Sequence, residues 1–223
     1  MSAPIHKLKK DEIIKLSKGK CEAHGHNYLE HYNCYLKENP EKAERIGYFD
    51  IEASNLVADF GILLSWAIKD GLSDEVYYDV LTPQDVKKGY EDKRIVASCI
   101  EALKKFDRIV TYYGTGYDFP FLRARAAMVG VDFPHFGTLK HRDAYYIMKS
   151  KFKLSSRRLE NACRCILGET AKTRIDSKHW RNGVRGDKEA LKYILDHNVK
   201  DTTDLERLYL KIIDYGKTNN TSI

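Results

Sequence analysis

The sequence predicts an α/β domain, a mixed β-sheet flanked by α-helices, with a small Cys/His-rich appendage at its N-terminus. Three observations carry that expectation. Three apolar, aromatic-rich runs follow one another between residues 47 and 80, the pattern of an antiparallel meander. From residue 94 onward helical and strand patterns alternate, as an α/β layering requires. Residues 21–34, CEAHGHNYLEHYNC, instead bring two cysteines and three histidines into a stretch without that periodicity.

Taken in order, residues 1–45 hold lysines, the Cys/His cluster and a charged link, KENPEKAER, and the main domain is expected over 46–216. GYFDIEAS (47–54) reads as a buried strand, ADFGILLSWAIK (58–69) as its partner and VYYDV (76–80) as a third strand. RIVASCIEALKKF (94–106) has helical periodicity, and RIVTYYG (108–114) is a short apolar strand ending in Gly. YDFPFLRARAAMVG (117–130) reads as a helix stopped by Gly130. LKHRDAYYIM (139–148) reads as a short strand running into a helix. SSRRLENACRCILG (155–168) reads as a helix with Ser at its start and Gly at its end. Residues 187–215 form a long helix, anchored by Leu191, Ile194 or Leu195, Leu205, Leu208 and Ile212.

The chain has 223 residues, 43% hydrophobic and 31% charged, enough to bury a core. No run approaches the ~20 apolar residues that span a bilayer, and the first residues, MSAPIHKLKKDEIIKL, lack an apolar signal core. A cytoplasmic protein without membrane contact is therefore expected. Five cysteines without a secretion signal argue against a disulfide framework. The net charge is +6, and between Lys149 and Arg185 eleven Lys or Arg face three acids. Such a concentration suits a polyanionic partner, although a solvated helical face gives the same pattern.

Three carboxylate motifs carry the chemistry. In a strand, Asp50 and Glu52 of FDIE share one face. Two acids so close repel unless a cation neutralises them, and Mg²⁺ or Mn²⁺ prefers such hard oxygen ligands. Taken alone, the pair also fits two ordinary surface acids. Asp118 in YYGTGYDFPFL sits where a strand ends, a Gly-rich turn follows and a helix begins, a position that also suits an N-cap. Asp201 in HNVKD lies one turn from His197 on the long helix.

In this order and these contexts, FDIE, GTGYDFPFL and HNVKD resemble the three motifs of the DEDD group of 3′–5′ exonucleases. The similarity is to the proofreading domain of family B DNA polymerases and its stand-alone predicted-nuclease relatives. It covers roughly residues 46–212, including a helix like RRLENACRCILG and a Lys and Trp such as Lys172 and Trp180. The resemblance implies a ribonuclease-H-like fold and a two-metal 3′–5′ exonuclease using Mg²⁺ or Mn²⁺ on single-stranded DNA or RNA. It implies that Asp50 bridges the metals, that Glu52 and Asp201 complete the site of the attacking water, and that Asp118 helps hold the metal on the leaving-group side. His197 would orient or deprotonate the water. The sequence departs from the group here: a His stands four residues before the last Asp, where the tyrosine subclass has Tyr, and the histidine subclass places its His five before. Tyr193, one turn earlier, is a secondary candidate.

Lys149, Lys151, Lys153, Arg157 and Arg158 are candidates to track the phosphate backbone, and Tyr117 to stack on a terminal base, with Phe119 and Phe121 reading as core. Asp143 reads as a helix cap or a supporting acid, and Asp204 as a solvated helix residue. Alternative functions are an endonuclease on the same fold and a non-catalytic nucleic-acid binding module. In the appendage, Cys21-x2-His24 and His31-x2-Cys34 form two short pairs of candidate zinc ligands, with His26 as a fifth candidate and a loop with free thiols as the alternative.

Overall fold

The computed structural model describes residues 8–88, 92–171, 176–216 and 221–222. Contacts divide the chain into two compact units, one ending at Glu44 and one beginning at Arg45. The first unit contains helices α1 (Lys10–Lys18) and α2 (Tyr32–Glu38) with the Cys/His segment between them.

The second unit is built on one mixed sheet. Strands β1 (Ile46–Ala53), β2 (Leu63–Asp70) and β3 (Val76–Val80) form the expected antiparallel meander. Strands β4 (Arg108–Thr111) and β5 (Lys140–Asp143) add in parallel beyond β1. The spatial order is β3-β2-β1-β4-β5, extended at the edge by the two-residue β6 (Thr221–Ser222). β1 is thus central, and all eight residues of β2 are buried, as strands covered on both faces must be. Helices α4 (Lys93–Leu103) and α5 (Asp118–Val129) contribute to a core with Phe49 and Ile51 of β1. Helices α6 (Ala144–Lys151), α7 (Leu159–Leu167) and the C-terminal half of α9 (Lys188–Ile212) form a second core with Tyr48. Alternation along β1 decides this split. Phe49 meets Phe119 of α5 at 5.6 Å between rings, whereas Tyr48 meets Tyr209 of α9 at 5.9 Å. Asp50 and Glu52 share the parity of Tyr48 and so lie on the α9 side.

Several elements differ from the sequence expectation. β2 starts at Leu63, not Ala58, because residues 54–62 loop out past a register shift at Glu52/Ala53. Ser54 closes that loop, its N–H donating to the Ile62 carbonyl at 3.0 Å and its Oγ accepting the Ile62 N–H at 2.9 Å. α7 starts at Leu159 with Arg158 as N-cap. Ser156 instead makes a local turn, its Oγ accepting the Arg158 N–H at 3.3 Å. Two short helices have no counterpart in the sequence expectation, α3 (Pro83–Lys88) and α8 (Ser177–Val184). The long helix α9 ends at Ile212 in a 3-10 turn, Ile213–Tyr215, and of the alternative anchors it is Ile194 that is buried. No helix among the described residues is long and apolar enough to cross a membrane.

Candidate active site

The carboxylates reach one place from three elements. β1 delivers Asp50 and Glu52 from the sheet centre. The turn after β4 and the first residue of α5 deliver Asp118. The middle of α9 delivers Asp201. All four line a single open cleft of about 640 Å³, together with Asn55, Leu56, Tyr112, Tyr113, Tyr117 and Trp180.

Asp118 does not cap α5. The N-cap is Tyr117, and the Asp118 Oδ1 accepts the backbone N–H of Ile51 at 3.1 Å, tying the start of α5 to β1 between the two strand acids. Burial pushes the Asp118 carboxyl up to about 7, opposed by the Ile51 N–H that favours its charged form. The Tyr117 hydroxyl is likewise raised, by burial first and then by the charges of Asp118, Glu52 and Asp50. Four carboxyl groups thus share one cleft, an arrangement that favours a cation.

His197 is buried at 1% exposure and is not among the cleft-lining residues. Its Nε2 lies 3.7 Å from Glu52 Oε1 and 3.7 Å from Asp201 Oδ2, so it sits behind both carboxylates. The ligand atoms of Glu52, His197 and Asp201 all lie within 4.8 Å of one another. Trp180 of α8 closes over His197 edge-on, with 6.3 Å between rings. Tyr193 stacks on His179 at 4.0 Å and takes no part in lining the cleft.

Asn198 is the residue that sequence reasoning missed. Its Nδ2 donates to Asp50 Oδ2 at 2.7 Å, and its Oδ1 accepts from Ser65 Oγ on β2 at 3.1 Å. The signal was available: Asn198 sits three residues before Asp201, on the face of α9 that also carries Leu191, Ile194 and Leu205. Tyr113 was missed as well. It has a left-handed backbone, φ 75°, unusual for a bulky residue, and its ring is exposed on the cleft. The Asp143 carboxylate holds this turn by accepting N–H groups from Tyr113 at 2.8 Å and Thr115 at 2.9 Å, besides capping α6. Asp143 is thus the cap and supporting acid it was expected to be.

Phe119 and Phe121 are core residues, as expected, while Tyr117 lines the cleft. Lys149, Lys151, Lys153, Arg157 and Arg158 are exposed and lie outside the cleft lining. The segment does border it, since the Tyr112 hydroxyl donates to the Arg157 carbonyl at 2.7 Å. Lys172 lies outside the described residues. Asp204 departs from expectation: it is fully buried, accepting from the Thr170 hydroxyl at 2.7 Å and the Ala171 N–H at 2.9 Å. Its place on the inner face of α9, pinning the chain after α7, is the reason. In the first unit Cys21, His24, His31 and Cys34 converge.

A family model of the RNase_H superfamily matches residues 47–213, which include Asp50, Glu52, Asp118, His197 and Asp201. The chain belongs to the RNase_H superfamily. A DNA polymerase of Methanocaldococcus jannaschii is 46% identical over 41 residues, which are 18% of this chain and 2% of the polymerase. The family B DNA polymerase from the hyperthermophilic archaeon Pyrobaculum calidifontis shares the fold, with a TM-score of 0.59 at 20% identity. That match covers 75% of this chain and 25% of the polymerase, so the chain spans only a small part of either relative.

Proposed function

We propose that this RNase H-like chain is a 3′–5′ exonuclease that hydrolyses single-stranded nucleic-acid ends by a two-metal mechanism. The observation that carries the reading is the convergence of Asp50, Glu52, Asp118 and Asp201 on one cleft. The donor set fits Mg²⁺ or Mn²⁺, being all hard carboxylate oxygen, partly buried and mutually repelling. Asp50, Glu52, Asp118 and Asp201 are the residues that would hold the ions. When bound, a pair of such ions supplies an activated water and stabilises the departing oxygen.

The chain's own residues do the rest. The Asn198 amide donates to one oxygen of Asp50 and so helps to orient that carboxylate. His197 Nε2 lies 3.7 Å from both Glu52 and Asp201, so we read any part it takes in orienting water as passing through those carboxylates. Leu56, Tyr113, Tyr117 and Trp180 give an unstacked terminal base an apolar and aromatic surface beside the acids. That surface favours single strands and ends over the interior of a duplex. Lys149, Lys151, Lys153, Arg157 and Arg158 then meet the backbone leading away from the cleft.

The test is digestion of 5′-labelled single-stranded DNA and RNA with Mg²⁺ or Mn²⁺, comparing wild type with Asp50→Ala and Asp201→Ala. A ladder shortening from the 3′ end, lost in both variants, is expected. Cutting of closed single-stranded circles would favour an endonuclease, and no metal-dependent degradation of either polymer would end the enzyme reading.

A further inference from the structure

We propose that Cys21, His24, His31 and Cys34 bind one structural zinc ion, and that His26 orients His31 without ligating. The site lies wholly within the first unit and does not depend on the exonuclease reading.

The geometry is that of a closed tetrahedral site. Zn–S bonds of ~2.3 Å and Zn–N bonds of ~2.0–2.1 Å place sulfur and nitrogen ligands about 3.6 Å apart. Cys21 Sγ is 3.8 Å from His24 Nδ1 and 3.9 Å from His31 Nδ1. Cys34 Sγ is 3.5 Å from His24 Nδ1 and 3.9 Å from His31 Nδ1. All four ligand atoms lie within 4.8 Å of one another, although they come from two separate stretches of chain. Two thiolates and two imidazoles suit zinc, whereas Mg²⁺ and Ca²⁺ prefer oxygen. Four protein ligands leave no open position, which marks a structural rather than a catalytic ion.

The sequence offers five candidate ligands for four places, and the structure chooses among them. His26 Nδ1 lies 2.9 Å from His31 Nε2. With His31 Nδ1 facing the ion, Nε2 carries the proton and donates it to His26. This is the outer hydrogen bond that metal-bound histidines regularly make, fixing tautomer and ring orientation.

The backbone is built around the same point. The Cys21 N–H donates to the His26 carbonyl at 2.9 Å, and the Gly25 N–H to the Cys21 carbonyl at 2.8 Å. Gly25 has φ 67°, which a side chain would strain, so the first ligand pair sits on a tight turn that needs glycine there. The second pair spans the start of α2, where the Cys34 N–H donates to the His31 carbonyl at 3.0 Å. The unit also lacks an ordinary core: of its described residues only Leu16 and Cys21 are buried hydrophobics. A unit of ~40 residues with so little burial needs a metal or a disulfide to hold together.

The experiment uses the full chain. Metal analysis after dialysis is expected to find one zinc per chain that Cys21→Ser and Cys34→Ser lose and Cys165→Ser, at an exposed thiol outside the unit, keeps. Replacement by Co²⁺ should give a thiolate-to-metal charge-transfer band, which the carboxylate cleft cannot produce. His26→Ala should retain the ion with ~10–100-fold weaker affinity. Chelation should expose the chain before Arg45 to protease. The proposal is overturned by a wild type with no stoichiometric zinc or no thiolate band. It is equally overturned by a Cys21–Cys34 disulfide in the purified protein, or by zinc loss in His26→Ala as complete as in Cys21→Ser.

Discussion

Asn198→Ala is expected to weaken divalent-cation binding in the cleft without abolishing turnover. Asn198 is fully buried and links Ser65 on β2 to Asp50 on β1 through bonds of 3.1 and 2.7 Å. Its amide thus donates to Asp50 and helps to set which way that carboxylate faces. A hydrogen bond to a charged group contributes ~1.5–3 kcal/mol, and a factor of ten in affinity is ~1.4 kcal/mol, so the loss lies between about 10- and 100-fold. Outer partners of metal-binding residues give the same range when removed. The assay is a Mn²⁺ titration by calorimetry on wild type and variant, run beside the Mg²⁺ dependence of strand degradation. The binding midpoint should rise by that factor while the rate at saturating metal changes by much less. Ser65→Ala, which removes only the far end of the chain of bonds, should shift the midpoint less. A folded Asn198→Ala protein with an unmoved midpoint would refute the reasoning.

Further outcomes follow from the same geometry. Asp92→Ala is expected to destabilise the second unit by ~3–5 kcal/mol, because the buried Asp92 accepts from Arg125 Nη2 at 2.7 Å and Nε at 2.9 Å and its loss leaves a buried cation; a calorimetric change well under 1 kcal/mol would contradict this. Burial holds His141 neutral and lowers its pKa to about 4, so the unfolded chain binds a proton that the folded chain refuses. Its contribution is fully present above pH ~6.5 and is lost as pH falls towards 4, by at most about 3 kcal/mol, and His141→Gln should flatten that part of the stability profile. His197→Gln should cost about 10–100-fold in degradation rate, the scale of a positioning residue, and a loss of ~10³ or more would place its ring in contact with the reacting water.

Most of the sheet was legible because its strands are apolar and bounded by turns. β3 matches its expected span, and β1 is displaced by one residue. The acids were legible for a different reason: Asp50 and Glu52 interrupt an otherwise apolar strand, and Asp118 follows a glycine-rich turn. What stayed hidden depends on tertiary contact. Nothing local distinguishes Asp204 from Asp196, yet one is fully buried under Thr170 and Ala171 while the other pairs with Lys192 on the surface at 2.6 Å. Asn198 and Ser65 are common polar residues until the pairing of β1 with β2 brings them under Asp50. Spacing had already paired Cys21 with His24 and His31 with Cys34, and the four converge, whereas the contact of His26 Nδ1 with His31 Nε2 was beyond it.

The histidine at the tyrosine spacing now has a physical setting. Residues four apart on α9 stack along one face, so His197 lies one turn below Asp201 and points at the sheet, not at the cleft. An imidazole is short enough to stay there, under Trp180 and against Glu52. The aromatic residues that line the cleft, Tyr112, Tyr113 and Tyr117, come instead from the turn between β4 and α5. α9 therefore carries one cleft acid, Asp201, together with Asn198, which donates to Asp50, and His197, which lies 3.7 Å from Glu52 and Asp201. The register of that helix is set by Leu191, Ile194, Leu205 and Leu208 in the two cores. A rotation of α9 would displace Asp201, His197 and Asn198 together, so the packing of those four apolar residues fixes the geometry of the acids as directly as any polar contact does.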